Sequence, residues 1–229
     1  MSIKKKVFAV AATLTMVGGV SAVGLLPAMA STPSCGGACI NGWGAEYGPQ
    51  FVLDVLRQGE KAGQPLILFR ASNSDPAEDF VESSQGTVAD FYAAGMVSKA
   101  LALHYGGLAA GAPNLNAYED EYAPYGVDSG LCAGVGTTAG NGTPVALEPC
   151  GVSSKTVWVE DTSDVAVDSE VVPLINGSDI NFSHPYVLHY PGSAYPTDMP
   201  RPQLNTNTLQ EYSDGTVYNN ELWGSFGQG

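Results

Sequence analysis

Four cysteines, three histidines and one run of interleaved tyrosines and acids are the groups in this chain with chemistry to offer. The cysteines Cys35, Cys39, Cys132 and Cys150 are even in number and allow three pairings. Spacing favours Cys35–Cys39 with Cys132–Cys150, the second closing a loop of about 18 residues worth roughly 3 kcal/mol in the chain-entropy account. Zinc at Cys35-x-x-x-Cys39 is disfavoured because no histidine follows at ligand spacing. His104, His184 and His189 are the only histidines. Residues 31–229 contain no Gly-x-Ser-x-Gly elbow, no His-Glu-x-x-His and no glycine-rich phosphate cradle. Carboxylates are so abundant that no pair stands out for glycoside-type acid–base work. The sequence therefore predicts neither an enzyme nor a cofactor.

Asn116-Ala-Tyr-Glu-Asp-Glu-Tyr-Ala-Pro-Tyr-Gly126 sets three tyrosines among three acids. It reads as a solvated insertion, with the stretch from Tyr118 to Tyr125 available to grip a basic or sugar partner. Glu119, Asp120 and Glu121 are adjacent and lack the spacing of a dedicated calcium loop.

Whatever positions these groups lies beyond the N-terminal segment. Lys4, Lys5 and Lys6 precede an apolar run from Val7 to Leu26, and Pro27-Ala-Met-Ala30 closes it with small residues. Charge, apolar stretch and Ala-x-Ala form a secretory signal over residues 1–30, to be removed on export. A membrane anchor is the other reading of such a stretch, but Gly18, Gly19, Ser21 and Gly24 interrupt it. Residues 31–229 then form one secreted, extracellular domain with no further membrane span. They carry six basic and 23 acidic residues, a net charge of −17. Such a polyanion releases no counterions on meeting another, which excludes nucleic acid as a partner.

Glycine and proline are spread throughout, and short β-rich runs dominate: Phe51 to Val55, Pro65 to Phe69, Pro144 to Leu147, Val171-Val172 and Pro185 to Tyr190. Turn signals such as Asn141-Gly142, Asn176-Gly177 and Asp214-Gly215 separate them, which predicts an all-β fold. Val88 to His104 fits either a strand or a short helix. Gly63-Gln-Pro-Leu-Ile-Leu leading to Phe80 parallels Gly142-Thr-Pro-Val-Ala-Leu leading to Trp158. A looser copy runs from Pro185 through Arg201-Pro-Gln-Leu204 to Trp223. Three hairpin-like units, at about 40–115, 116–180 and 181–229, predict a threefold β architecture in which Phe80, Trp158 and Trp223 plug a shared core.

Leu131-Cys-Ala-Gly-Val, Asn141-Gly-Thr-Pro-Val-Ala-Leu-Glu-Pro-Cys150 and Lys155-Thr-Val-Trp158 together resemble one repeat of the ricin-type (R-type lectin) β-trefoil family. The resemblance implies an all-β trefoil with long loop insertions, six strands closing a barrel and six capping it. It also implies a Cys132–Cys150 link within the second repeat. In that family a sugar site uses an Asp after the first Cys, a polar residue and an aromatic on the next strand, and an Asn-Gln pair at the Gln-x-Trp. The first repeat keeps Asp54 and offers Phe69 and Glu78, but has Ile67 at the polar position and Ala77 for the Asn. The second has Gly134, Ala146, Glu148, Lys155 and Thr156, which is no sugar-binding set. The third offers His189, Gln203, Asn220 and Glu221, with no Asp at the matching place. The implied function is a secreted, carbohydrate-binding, lectin-like module with eroded sites. Its ligand residues would be Asp54, Phe69 and Glu78, with Gln203, Asn220 and Glu221 as a second set. The plainer assignment makes Asp54 a turn acid and Phe69 a core residue. The alternative function is a non-sugar extracellular interaction or structural protein, inhibitor-like, on the same fold. A glycan or an extracellular protein is accordingly the expected partner.

Overall fold

Alternation with period two around Phe80, Trp158 and Trp223 turns these rings to one side of their strands, and antiparallel pairing then closes the strands around them. The computed structural model describes Cys35 and residues 39–72, 74–163, 170–192, 195–198 and 201–227. The export signal expected at residues 1–30 lies outside the described residues. The strands are β1 (Ile40–Gly44), β2 (Phe51–Val55), β3 (Leu66–Arg70), β4 (Phe80–Thr87), β5 (Asn116–Tyr122) and β6 (Leu131–Val135), followed by β7 (Thr143–Pro149), β8 (Trp158–Glu160), β9 (Val172–Asn176), β10 (Tyr186–His189), β11 (Asn205–Thr208) and β12 (Leu222–Gly227).

β1 pairs with β12 and with β4, β4 with β5, β5 with β8, β8 with β9, and β9 with β12. These antiparallel pairings close a barrel, which removes exposed sheet edges. β2–β3, β6–β7 and β10–β11 form the capping hairpins. The fold is an all-β trefoil.

Phe80, Trp158 and Trp223 are buried in one core with Leu53, Leu147 and Leu188. The Trp158 indole N–H donates to the Ala133 carbonyl at 3.0 Å, and that of Trp223 to the Leu188 carbonyl at 2.8 Å. Ala133 and Leu188 hold the same position in their hairpins, so each indole ties a barrel strand to its own cap. A buried indole N–H requires such an acceptor; Phe80 carries no donor and needs none. Both disulfides are present, with Cα atoms 5.7 Å apart for Cys35–Cys39 and 5.0 Å for Cys132–Cys150.

Val88 to His104 resolves as helix. Thr87 caps α1 (Val88–Ala93) in a reciprocal capping box with Asp90, and the Ser98 side chain caps α2 (Lys99–Tyr105). Gly95, at φ +78°, turns the chain between them. Val88, Phe91 and Leu101 pack on Val157, Val159 and Ile175, the residues that alternate with the barrel-facing side chains of β8 and β9.

Three expectations are corrected. The segment from Asn116 is no solvated insertion but barrel strand β5, with Glu119, Asp120, Glu121 and Tyr122 all buried. Of its tyrosines only Tyr125, beyond the strand, is well exposed, at 68 %. The third unit includes β9, which starts at Val172, ahead of the expected boundary at 181. Its second hairpin strand is Asn205–Thr208 and not the stretch from Arg201 to Leu204.

Candidate functional site

Each unit builds the same cleft between its capping hairpin and a short 3-10 turn that precedes the plug ring. In the hairpins Asp54 faces Ile67, Gly134 faces Ala146 and His189 faces Asn205. The turns are Pro76–Glu78, Ser154–Thr156 and Asn219–Glu221. Position by position, Asp54, Gly134 and His189 are therefore counterparts, as are Glu78, Thr156 and Glu221.

In the first unit Asp54, Phe69 and Glu78 do gather, but the cleft is closed. Asp54 is 4 % exposed and Glu78 1 %. Both Glu78 oxygens accept the Ser72 N–H at 2.9 Å. Asp75 caps the turn by accepting the Ala77 N–H at 3.0 Å and also takes the Gln58 amide at 2.9 Å. Burial, reinforced by the Asp75 charge and opposed by Arg201, pushes the Asp54 carboxyl up to about 7. Burial likewise pushes Glu78 up to about 8, against the pull of the Ser72 hydrogen bond. The Arg201 guanidinium covers the Phe69 ring, 3.9 Å from its centre. The face a sugar ring would need is taken by a cation.

The second cleft is filled. A Cβ at Gly134 would lie 2.8 Å from the Thr156 side chain and 2.9 Å from the Lys155 carbonyl, so the turn rests directly on the hairpin. The Thr156 hydroxyl donates to buried Glu119, and the Lys155 ammonium donates to the Gly136 carbonyl at 2.9 Å.

The third cleft is polar and reaches the surface. Asn220 Nδ2 donates to His189 Nε2 at 3.0 Å, which leaves Nδ1 to donate to Asn205 Oδ1 at 2.8 Å. This pattern requires the neutral imidazole, and burial lowers its pKa against the pull of Asn205. His189, Asn205, Asn207 and Asn220 are all half-buried. Beneath them, Glu221 is fully buried; its Oε2 accepts the Gln210 N–H at 2.7 Å, and its Oε1 meets no partner among the described residues. Burial pushes its carboxyl up to about 7, against the bonds from Gln210 and Asn207. Tyr218, two residues before Asn220, meets exposed Tyr212 edge to face at 4.1 Å.

Gln203 does not join Asn220 and Glu221. Its amide donates to the Val145 carbonyl at 3.0 Å, and its backbone bridges to Ile67. Asn205 takes the place expected of it. Sequence reasoning missed Asn205 and Asn207 because Asn-Thr-Asn-Thr has no apolar alternation to mark a strand. The signal that could have found them is the separation of His189 from the polar residues across a hairpin.

No protein-family profile matches the chain, and no curated protein matches it in sequence. Among solved structures, the designed 3-fold symmetric protein ThreeFoil aligns with 82 % of this chain and 97 % of its own, at TM-score 0.51 and 14 % identity. The likeness is one of fold. A mosquitocidal holotoxin aligns with 81 % of this chain at TM-score 0.48 and 11 % identity, over 17 % of the toxin.

Proposed function

We propose that this protein is an extracellular carbohydrate-binding module of lectin type, and that the third unit carries its working cleft. The observation behind this reading is the His189–Asn205–Asn220 network, a preorganised set of donors and acceptors open to solvent. Sugar hydroxyls are recognised by such fixed polar groups beside an aromatic face. Tyr212 and Tyr218, which pack edge to face on the loop that leads into Asn220, are the aromatic rings this reading assigns to that face. The first and second clefts contribute nothing, being covered by Arg201 and filled by Thr156. One shallow site binds at about millimolar strength, so the protein acts where several copies or a repeating glycan supply avidity. The two disulfides and the signal-like composition of residues 1–30 support an extracellular setting for this activity.

A glycan array on the purified protein tests the reading. Binding to at least one glycan class is expected, lost in His189→Ala and Asn220→Ala and kept in Asp54→Asn. Silence across a broad array, or loss only in Asp54→Asn, overturns it and leaves the non-sugar interaction protein.

A further inference from the structure

A cavity of about 260 Å³ opens into the barrel itself; Leu53 and Leu188, the neighbours of Asp54 and His189, line it, but the polar residues of the three clefts do not. Its chemistry follows from the plug rings. Phe80, Trp158 and Trp223 point inward, so period two sets Glu82, Glu160 and Ser225 on the same side one level further out, at the mouth of the cavity, where Glu82 and Ser225 are exposed and Glu160 is half-buried. Asp120 on β5 is the cross-strand partner of Glu82. Glu82, Asp120 and Glu160 thus share one cavity, floored by Leu188 and Trp223.

Like charges opposite one another in a sheet are destabilising. Asp120 is only 9 % exposed, and its Oδ1 is buried and meets no hydrogen-bond partner among the described residues. A buried acceptor without a donor, aimed into a cavity ringed by two further carboxylates, marks a place for a cation. The three are not gathered as a metal's donor set. Among the described residues, the one group of three such side chains with ligand atoms within 4.8 Å of one another is Cys35, Cys39 and Asp79, whose sulfurs are joined in a disulfide. An ammonium group bonds Asp120 directly and reaches Glu82 and Glu160 through water with its other N–H donors, so the carboxylates need not converge on one point. Tyr118 and Trp223 line the same cavity with aromatic rings, which attract a cation further. The apolar floor accepts methylenes.

From this we propose that the barrel cavity binds the ammonium end of an aliphatic amine, either a free diamine or a lysine side chain, through Asp120, Glu82 and Glu160. The titratable groups around Asp120 are Glu82, Glu160 and Glu170 from neighbouring elements and Tyr118 from its own strand. Burial and the charges of Glu82 and Glu160 push Asp120 up to about 8, so binding strengthens as pH rises from 7 to 9.

Calorimetric titration of the purified protein with 1,4-diaminobutane, with Nα-acetyl-lysine methylamide and with calcium chloride tests this. Saturable binding of an amine is expected, weakened at least about tenfold in Asp120→Asn and measurably in Glu160→Gln. A stronger diamine identifies free amines as the source, and a stronger lysine amide identifies protein side chains. Circular dichroism establishes that each variant is folded, and Glu160→Gln alone decides the matter if Asp120→Asn is not. The proposal is overturned if neither amine binds, if folded variants bind as the wild type does, or if calcium binds and displaces the amine. None of these outcomes depends on whether the third cleft binds sugar.

Discussion

Arg201, on the connection between β10 and β11, holds its guanidinium carbon 3.9 Å from the centre of the Phe69 ring. A residue of the third unit thereby seals the cleft of the first. Arg201→Ala should destabilise the protein by about 0.5–1 kcal/mol, read as a lower urea midpoint. It should also raise the Asp54 pKa further, since the Arg201 charge is what opposes burial there. No glycan binding is gained, because Asp54 and Glu78 stay buried beneath the uncovered ring.

Stability should be greater at pH 5 than at pH 8. Asp54, Glu78, Asp120 and Glu221 all have folded pKa values raised above their ordinary ones, to about 7, 8, 8 and 7. A raised carboxyl favours folding fully below its unfolded pKa, and that advantage is lost as pH climbs through the folded value. His189, whose pKa is lowered, works in the opposite sense and is outnumbered. Thermal midpoints across this range check the sign; a midpoint that rises steadily from pH 5 to 8 contradicts it.

The two indoles should differ from the phenyl in what they tolerate. Trp158→Phe and Trp223→Phe each strand a buried carbonyl, of Ala133 and Leu188 respectively, at a cost of about 1–3 kcal/mol. Phe80→Leu loses ring volume but no hydrogen bond. Urea denaturation of the three variants measures the difference.

The plug residues were legible in the sequence because large aromatics at the close of each unit have few roles other than core. The hairpins from Phe51 and Leu131 were legible for a similar reason, since Val, Leu and Cys alternate there with turn residues on either side. β5 was not. Glu119, Asp120 and Glu121 give it the composition of a loop, yet Glu121 accepts the Gly130 N–H at 2.7 Å and Glu119 the Gly151 N–H at 3.0 Å. Long-range backbone donors hold these acids inside, and nothing local announces such donors. β11 was hidden for want of apolar residues, which shifted the third site from Asn205 to Gln203. The cover of Arg201 over Phe69 joins residues 132 positions apart, beyond the reach of any spacing rule.

Glycan binding should fail below the ordinary histidine pKa. Protonated His189 cannot accept from Asn220, so the network in the third cleft breaks as pH falls through a value under 6.5. The other groups facing the imidazole are Asn205, which does not titrate, and Glu221 beneath, which gains its proton at higher pH. Binding measured downward from pH 7.5 should hold until the pH passes below 6.5 and then weaken in the wild type.

The most direct test maps, by amide and side-chain chemical shifts, where a bound glycan touches the protein. Perturbations confined to His189, Asn205, Asn207, Asn220 and the Tyr212–Tyr218 loop are predicted. Shifts centred on Asp54 and Phe69, or on no cleft at all, would contradict the assignment of sugar recognition to the third unit.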